Sequence, residues 1–309
     1  MIHVAFEGGL GNQMFQYAAG RYLEKKFHDN VVIDSSKYQC EAIEFRNYEL
    51  NDFNVKKDWG TVRIQESRFK RFGSLYFVYL VWTGLYLKIN KERYNSGRSL
   101  KFTKLYQFLT NRIGFYRMHF SETPCFYKSW TKRKYIRGMW FYPQIVLSLG
   151  EELKKELTVK TPISDKNQEF LDSINSTNSV AVHIRRGDYV KLGMVVCDIA
   201  YYQRCMEKMS KIVDSPVFFV FSDDIDWVKE NLSTDGYTVI FVNNNNGATD
   251  DMRLVYSCKH FIMSNSTFSW WGAYLGSAED KKVIVPEIWA KGAKRSNLIL
   301  DSWITEKTL

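Results

Sequence analysis

The second half of the chain alternates between short apolar runs and amphipathic stretches. The apolar runs are rich in Val, Ile and Phe, as buried strands are, whereas the stretches between them repeat their apolar residues at helical spacing. The predicted strands lie at 179–184, 217–221, 237–242, 260–263 and 283–285, and the predicted helices at 200–213, 225–232, 249–258 and 267–276. Because apolar strands separated by helices form parallel sheets covered on both faces, we predict an α/β domain here.

The N-terminus shows the same pattern once. Residues 2–6 predict a strand, residues 7–13 a glycine-rich turn, the next residues an amphipathic helix, and residues 31–34 a second strand. The turn lacks the third glycine of the dinucleotide fingerprint and the Lys and Ser/Thr of a P-loop. The segment therefore predicts a β–loop–α–β unit whose loop lets a ligand approach the backbone closely.

The pattern is weaker between these two regions. Residues 134–147 predict a strand followed by a turn near Pro143, a helix is predicted to start at Gly150, and another helix is predicted at 165–174. The polar residues 158–178 favour a domain boundary. The predicted domains are 1–160, with an irregular aromatic and basic insertion, and 161–309.

An apolar stretch at 75–87 is flanked by basic residues. It is too short to cross a bilayer, which takes about 20 apolar residues. The flanks carry Arg68, Lys70, Arg71, Lys88, Lys91 and Arg93. Two interpretations stay open, a core helix and an interfacial helix, because aromatic content with basic flanks is typical of the second. In the second interpretation, residues 68–93 contact a membrane surface.

Composition limits the classes of partner and compartment. The 309 residues carry a net charge of +9, which favours an anionic partner. The sequence has no basic block or stacking pattern of a nucleic-acid-binding protein, so we expect no nucleic acid as partner. The 5 cysteines are odd in number and include no Cys-x-x-Cys pair, which favours free thiols in a reducing compartment. No signal peptide is expected at the N-terminus, so we predict a cytoplasmic protein.

Each of the first four predicted strands of the second half ends in a polar cluster. The clusters are residues 183–189 (HIRRGDY), 222–224 (SDD), 243–246 (NNNN) and 264–267 (SNST). The carboxyl ends of parallel strands share one edge of the sheet, and open α/β sheets bind ligands outside that edge. We therefore expect these clusters to line one crevice.

The cluster side chains suit an anionic ligand. Arg185 and Arg186 offer rigid forks of donors that match phosphate oxygens. The hydroxyls of Ser266 and Thr267 stand where the next helix begins, a position that also holds phosphate. Together these groups predict a clamp for a diphosphate.

The pair Asp223-Asp224 has two interpretations. It holds a divalent metal that bridges a diphosphate, or it accepts hydrogen bonds from a base or ribose while one Asp caps the following helix. Because two arginines can already neutralise a diphosphate, we expect no metal.

Four motifs resemble those of the family 11 glycosyltransferases, the α-1,2-fucosyltransferases. They are GGLGNQMFQY at 8–17, HIRRGDY at 183–189, FSDD at 221–224 and NSTFSWWG at 265–272. The motifs follow one another in the order of the family, and the resemblance covers residues 1–35 and 179–286. The middle of the chain matches no motif.

The resemblance implies a GT-B-type fold, in which two Rossmann-like domains face each other across a cleft. It also implies transfer of L-fucose from GDP-β-L-fucose to the 2-OH of a β-galactoside in surface-glycan or O-antigen synthesis. The linkage is α-1,2, the reaction inverts the anomeric centre, and no metal or other cofactor is required. The residues implied to bind the donor are His183, Arg185, Asp223, Ser266 and Thr267, and those implied to line the cleft from the other domain are Gly9 and Asn12.

The implied reaction gives roles to individual side chains. Negative charge grows on the departing GDP as the sugar–oxygen bond breaks, and Arg185 is expected to stabilise it. The acceptor hydroxyl must lose its proton, for which Glu7 and Asp188 are candidate bases. In a third alternative no strong base acts and Asn12 orients the hydroxyl. Arg186 is expected to support the loop or the sheet.

Three other functions stay open on the same sequence features. The first is a transferase for a different GDP-deoxyhexose, and the second is a non-catalytic protein that binds a nucleotide or a glycan on the same fold. The third is a basic protein that binds membranes or nucleic acids. The predicted location is the cytoplasm, with peripheral contact to the inner face of the cytoplasmic membrane through residues 68–93.

Overall fold

The computed structural model shows two compact α/β units, Met1–Leu157 and Thr158–Leu309. It describes residues 1–35, 38, 47–56, 59–62, 73–95, 100–118, 123–243, 247–291 and 296–308. Each unit contains one sheet whose described strands are all parallel. The predicted α/β class, with a Rossmann-like sheet in each unit, is therefore confirmed.

The N-terminal unit has a five-stranded sheet in the order β3-β2-β1-β5-β4. Its strands are β1 Ile2–Ala5, β2 Val31–Asp34, β3 Gly60–Val62, β4 Phe115–Met118 and β5 Lys134–Gly138. Its helices are α1 Leu10–Phe27, α2 Ser74–Asn95, α3 Thr103–Arg112 and α4 Pro143–Glu156. The strand order reverses between β1 and β5, so the loop after β1 emerges at the point where such sheets bind ligands.

Helix α4 differs from the prediction at two positions. Pro143 begins the helix instead of forming a turn, because the first helical position needs no backbone N–H and suits the fixed φ of proline. Gly150 does not start a helix but interrupts this one, with φ 55° and ψ −136°. Such a backbone conformation strains residues that carry a Cβ, so the kink depends on glycine.

Helix α2 contains the apolar stretch and extends beyond it, to Asn95. Within the described ranges, every helix is too short or too polar to span a bilayer. The basic flank Arg68, Lys70 and Arg71 lies outside the described residues.

The C-terminal unit has a six-stranded sheet in the order β11-β10-β9-β6-β7-β8. Its strands are β6 Asn178–Ile184, β7 Pro216–Ser222, β8 Thr238–Phe241, β9 His260–Ile262, β10 Val283–Pro286 and β11 Ile304–Glu306. Its helices are α5 Asp165–Ser176, α6 Gly187–Lys191, α7 Ile199–Ile212, α8 Ile225–Asn231, α9 Ala248–Ser257 and α10 Thr267–Leu275. Counted from β6, this is the doubly wound order 3-2-1-4-5-6, which reverses between β6 and β9.

The central strands of this sheet are buried on both faces. Val180 and Val182 of β6 belong to a cluster that includes Met206 of α7, whereas Ala181 between them points to the other face and is 1% exposed. Burying each large apolar side chain stabilises the unit by about 1.5–3 kcal/mol. Helices on both faces therefore hold β6 rigidly and give the loop that follows it a fixed starting point.

Candidate functional site

The candidate site lies at the carboxyl ends of the central strands of the C-terminal unit. The register pairs Ile184 of β6 with Ser222 of β7, so the next residues, Arg185 and Asp223, leave the sheet side by side. Strand β9 pairs with the other edge of β6, and the residues after it reach His183. The structure therefore brings together the polar clusters that follow β6, β7 and β9, as the sequence predicts.

Arg185 is held by two carboxylates. Its Nη2 donates to Asp188 Oδ1 at 2.5 Å, and its Nη1 lies 2.8 Å from Asp223 Oδ2. The Arg185 side chain is 20% exposed, and the ring of Tyr189 lies 5.4 Å from the guanidinium carbon. The fork is thus fixed before any ligand binds, so little side-chain entropy remains to be lost on binding.

Arg186 makes a different set of contacts and supports the loop. Its Nε donates to Asp224 Oδ2 at 3.1 Å, and its guanidinium carbon lies 3.2 Å from the centre of the Trp227 ring. Its backbone N–H donates to Asp223 Oδ1 at 2.8 Å. The Asp224 side chain makes no capping hydrogen bond to helix α8 and pairs with Arg186 instead, so the capping part of the second interpretation of the Asp pair is wrong for Asp224. The contact with Trp227 had no signal in the sequence.

His183 lies behind Arg185 in a buried hydroxyl network. Its Nδ1 is 2.6 Å from Ser269 Oγ and 3.1 Å from Ser264 Oγ, and the two hydroxyl oxygens are 2.9 Å apart. Burial, and then the charge of Arg185, lower the pKa of His183 to about 3. The imidazole is therefore neutral at physiological pH and cannot act as a cationic clamp or as a proton donor that titrates near pH 7.

The hydrogen count of this network favours one tautomer of His183. If Nδ1 accepts from Ser269 and Ser264 donates to Ser269, both hydroxyl hydrogens have an acceptor. If Nδ1 carried the hydrogen, one hydroxyl hydrogen would have no acceptor among these three groups, which is costly in a buried place. We therefore assign the hydrogen to Nε2, as a neutral donor. Ser269 was not a candidate on sequence, since a serine inside a helix carries no signal of its own.

Asn265 is internal, in agreement with the buried flanks of its Asn-Ser-Thr tripeptide. Its amide donates to the carbonyl oxygens of Met194 and Trp289 at 2.9 and 3.1 Å, and the residue is 4% exposed. It ties the loop after β9 to two other loops. A buried amide in these contacts is not an accessible glycan acceptor.

Ser266 and Thr267 stand at the start of α10. The Ser266 Oγ accepts from the backbone N–H of Phe268 at 3.3 Å, so it caps the helix, and the residue is 5% exposed. Thr267 is partly exposed. The first turn of α10 therefore lies at the carboxyl end of β9, at the strand-order reversal between β6 and β9 and next to the His183 network.

The third polar cluster is described in part. The backbone oxygen of Asn243 accepts from Lys166 Nζ at 2.7 Å. Residues 244–246 lie outside the described residues, as does Cys40.

The loop after β1 in the N-terminal unit holds Glu7 by its backbone. The backbone N–H of Glu7 donates to the side-chain oxygen of Gln16 at 3.0 Å, and the Gln16 amide donates back to the Glu7 carbonyl at 3.2 Å. The Glu7 carboxylate is 12% exposed and lies 3.7 Å from Arg137 Nε. Gly9 caps α1 with an extended backbone. The loop thus holds Glu7 in a fixed position beside Arg137.

Asn12 lies in the first turn of α1, beside the same loop. The Asn12 Nδ2 is 3.9 Å from the sulfur of Met139. A Cβ placed on Gly8 would lie 2.4 Å from the same Asn12 Nδ2. The buried Gln13 holds the loop by donating to the Gly8 carbonyl at 3.1 Å. Neither Gln13 nor Gln16 was a candidate on sequence, although both lie in the first motif.

Comparison with known proteins gives matches along nearly the whole chain. The family model described as Glycosyl transferase family 11 matches residues 1–307. The O-antigen biosynthesis glycosyltransferase WbnK of Escherichia coli is 29% identical, over 98% of this chain and 99% of its own length. An alpha-1,2-colitosyltransferase of Escherichia coli is 28% identical, over 91% of this chain and 90% of its own.

Two further matches cover less of the chain or have a lower sequence identity. The galactoside alpha-(1,2)-fucosyltransferase 2 of Mus musculus is 32% identical over 52% of this chain and 46% of its own length. Among solved structures, fucosyltransferase NodZ from Bradyrhizobium has a TM-score of 0.48 at 14% identity, over 88% of this chain and 91% of that chain. Since the family model spans both units and all four motifs, the chain belongs to glycosyltransferase family 11.

Proposed function

We propose that the chain transfers L-fucose from GDP-β-L-fucose to the 2-OH of a β-galactoside, with inversion and an α-1,2 linkage. The proposed role is surface-glycan or O-antigen synthesis. Membership of glycosyltransferase family 11 supports the proposal. So do the relatives, which include an O-antigen glycosyltransferase, an α-1,2-colitosyltransferase and, as a partial match, a galactoside α-1,2-fucosyltransferase. The observation that carries it is the Arg185 fork, fixed at the strand-order reversal of the C-terminal unit.

The proposed mechanism starts from the charge on the leaving group. As the bond from the sugar to GDP breaks, negative charge grows on the β-phosphate, and Arg185 stabilises it. Ser266 and Thr267 bind phosphate at the start of α10, and the neutral Nε2–H of His183 adds a donor. Asp223 binds near the nucleoside. The proposal requires no metal, because the phosphate contacts it invokes are hydrogen bonds from Arg185, His183 and the start of α10.

The N-terminal unit supplies the acceptor side in this proposal, in which Gly9 and Asn12 at the start of α1 contact the acceptor. Glu7 is the proposed general base. Of the two candidate carboxylates, Asp188 accepts a hydrogen bond from Arg185 at 2.5 Å, which stabilises its charged form and weakens it as a base. Glu7 is proposed from its position in the loop after β1, where its carboxylate lies 3.7 Å from Arg137 Nε. Asn12 orients the acceptor hydroxyl.

A second candidate donor is another GDP-deoxyhexose, favoured by the relative that is an α-1,2-colitosyltransferase. Colitose lacks one hydroxyl of fucose. A site that hydrogen-bonds this hydroxyl rejects the deoxy sugar by about 10⁴–10⁵-fold, whereas an apolar pocket there discriminates far less. The ratio of kcat/KM for the two donors therefore decides between the candidates.

The test of the function uses GDP-fucose and GDP-colitose with a panel of β-galactosides and linkage analysis of the product. We expect an α-1,2-fucosylated galactoside. Protection from thermal unfolding by GDP, but not by UDP or dTDP, tests the donor class separately. Protection by GDP without transfer would support a non-catalytic binding protein. No protection by GDP would contradict the donor assignment.

Gly187 gives a prediction about the Arg185 clamp. A Cβ on this residue would lie 2.4 Å from Asp223 Oδ2, the oxygen that pairs with Arg185. Gly187→Ala therefore displaces that carboxylate, and we expect GDP to bind roughly tenfold more weakly, the loss of one charged hydrogen bond. Isothermal titration calorimetry with GDP measures this change in affinity.

The matched control is Gly247→Ala, in the same unit. A Cβ on Gly247 meets nothing within 4 Å. Equal GDP affinities of the two variants would show that the Asp223 carboxylate does not position Arg185 for the nucleotide.

The proposed compartment is the cytoplasm. Among the described residues the free thiols are Cys125, Cys197, Cys205 and Cys258, and the last three are buried. Burial raises the pKa of the Cys197 thiol to about 12, so it resists oxidation. Free thiols of this kind fit a reducing compartment.

A further inference from the structure

Helix α2 packs one face against its own unit. Tyr79 stacks on Phe115 of β4 with ring centres 4.5 Å apart, and Tyr86 stacks on Tyr106 of α3 at 4.2 Å. The fully buried Asn90 accepts from the backbone N–H of Lys101 at 2.7 Å. This inner face therefore belongs to the core of the unit, in agreement with the core-helix interpretation of the apolar stretch.

The opposite face of α2 exposes large apolar side chains in a row. Their exposed fractions are Phe77 62%, Leu80 47%, Val81 51%, Leu85 58% and Ile89 48%. Four of the five follow one another every four residues and so form one ridge along the helix. We call these five residues the α2 ridge. A single exposed apolar residue is ordinary, but a contiguous row of them marks a contact surface.

The surroundings of the α2 ridge are basic. Residues 74–112, which span α2 and α3, contain seven Lys or Arg and one acidic residue, Glu92. Lys88 and Lys91 are exposed on α2, and Lys101 and Lys104 are exposed at the start of α3. The exposed Phe102 and Leu105 lie among the α3 lysines. The surface thus combines apolar side chains with predominantly positive charge.

We propose that the α2 ridge docks on an anionic lipid bilayer, with α2 lying in the plane of the interface. The ridge enters the boundary between headgroups and acyl chains, and the lysines contact anionic headgroups. A second copy of the chain is a poorer occupant, because a two-fold contact through this face would bring two surfaces of the same positive charge together. The inference does not depend on the donor assignment. It would hold the protein where lipid-borne acceptor glycans are found.

The test is co-sedimentation of the full chain with vesicles of phosphatidylcholine, with and without phosphatidylglycerol. We expect sedimentation with the anionic vesicles alone, weakened by salt. The double variant Phe77→Ser/Leu85→Ser should lower the bound fraction roughly tenfold or more, since it removes two large apolar contacts with the bilayer. Lys88→Glu/Lys91→Glu should lower it as well.

The matched control is Leu147→Ser/Ile212→Ser, which removes apolar side chains that are 49% and 42% exposed elsewhere. Circular dichroism and the thermal unfolding midpoint verify the fold of every variant. Equal sedimentation of the ridge and control variants would overturn the proposal, as would equal binding to both kinds of vesicle. No vesicle binding, together with a dimer mass by light scattering that the ridge variant abolishes, would assign the surface to a second copy.

Discussion

Arg185→Ala is expected to lower kcat by about 10²–10³-fold, because one preorganised donor that faces charge in the transition state contributes about that much. The structure gives the reason for the preorganisation, since Asp188 and Asp223 hold the two ends of the fork. The side chain is 20% exposed at the rim of the sheet, so its loss leaves the core intact. Transferase rate and GDP affinity are measured beside the thermal unfolding midpoint.

Arg185→Lys is expected to fail almost as badly, because lysine has one compact charge and cannot reach both carboxylates and a phosphate as the fork does. Arg204→Ala is the matched control. Arg204 lies on α7 in the same unit, 44% exposed and paired with Glu306 at 3.2 Å. Wild-type activity in Arg185→Ala would overturn the whole donor assignment, whereas loss of activity in Arg204→Ala would indicate a general effect of removing charge.

Glu7→Gln is expected to lower kcat by about 10²–10⁴-fold, the usual contribution of a general base. Glutamine matches glutamate in shape, and the backbone bonds from Gln16 that hold the loop remain. GDP affinity should stay at the wild-type value, because the proposed donor-binding residues lie in the C-terminal unit. Turnover under saturating donor and calorimetric GDP titration separate the two effects.

The comparison for Glu7 is Asp188→Asn. This change alters the Arg185 clamp through its 2.5 Å hydrogen bond, so it should weaken GDP binding as well as turnover. Near-normal turnover of Glu7→Gln with native donor affinity would remove Glu7 as the base. The remaining alternatives would then be Asp188 as the base and a reaction without a strong base, in which Asn12 orients the hydroxyl.

The C-terminal unit was predictable because its strands are continuous apolar runs between amphipathic helices. The helix predicted at 267–276 is Thr267–Leu275, and the strand predicted at 217–221 is Pro216–Ser222. Strand β11 was missed, because two of its three residues, Ile304–Glu306, are polar and because it joins the sheet through pairing with β10. Pairing of this kind leaves no periodicity in the sequence.

The middle of the chain shows the limit of periodicity more clearly. The stretch 75–87 is apolar on both faces, so its sequence could not show which face is covered. The structure assigns Tyr79 and Tyr86 to the core and leaves Phe77 and Leu85 exposed. One face of the helix thus agrees with the core interpretation, as the structure shows. The opposite face is the one that we propose as the interfacial surface.

The sequence alone determined the alternation of strands and helices, the polar clusters at strand ends, the basic charge and the motifs of the family. These features are local, and each is visible in a short window of residues. The tertiary structure decided which groups meet: Arg185 with Asp223, His183 with Ser269, Arg186 with Trp227. The physical reason is that ion pairs, buried hydrogen bonds and ring contacts depend on distances between residues far apart in the chain. Those distances follow from which strands become neighbours in the sheet, which a short window of the sequence does not encode.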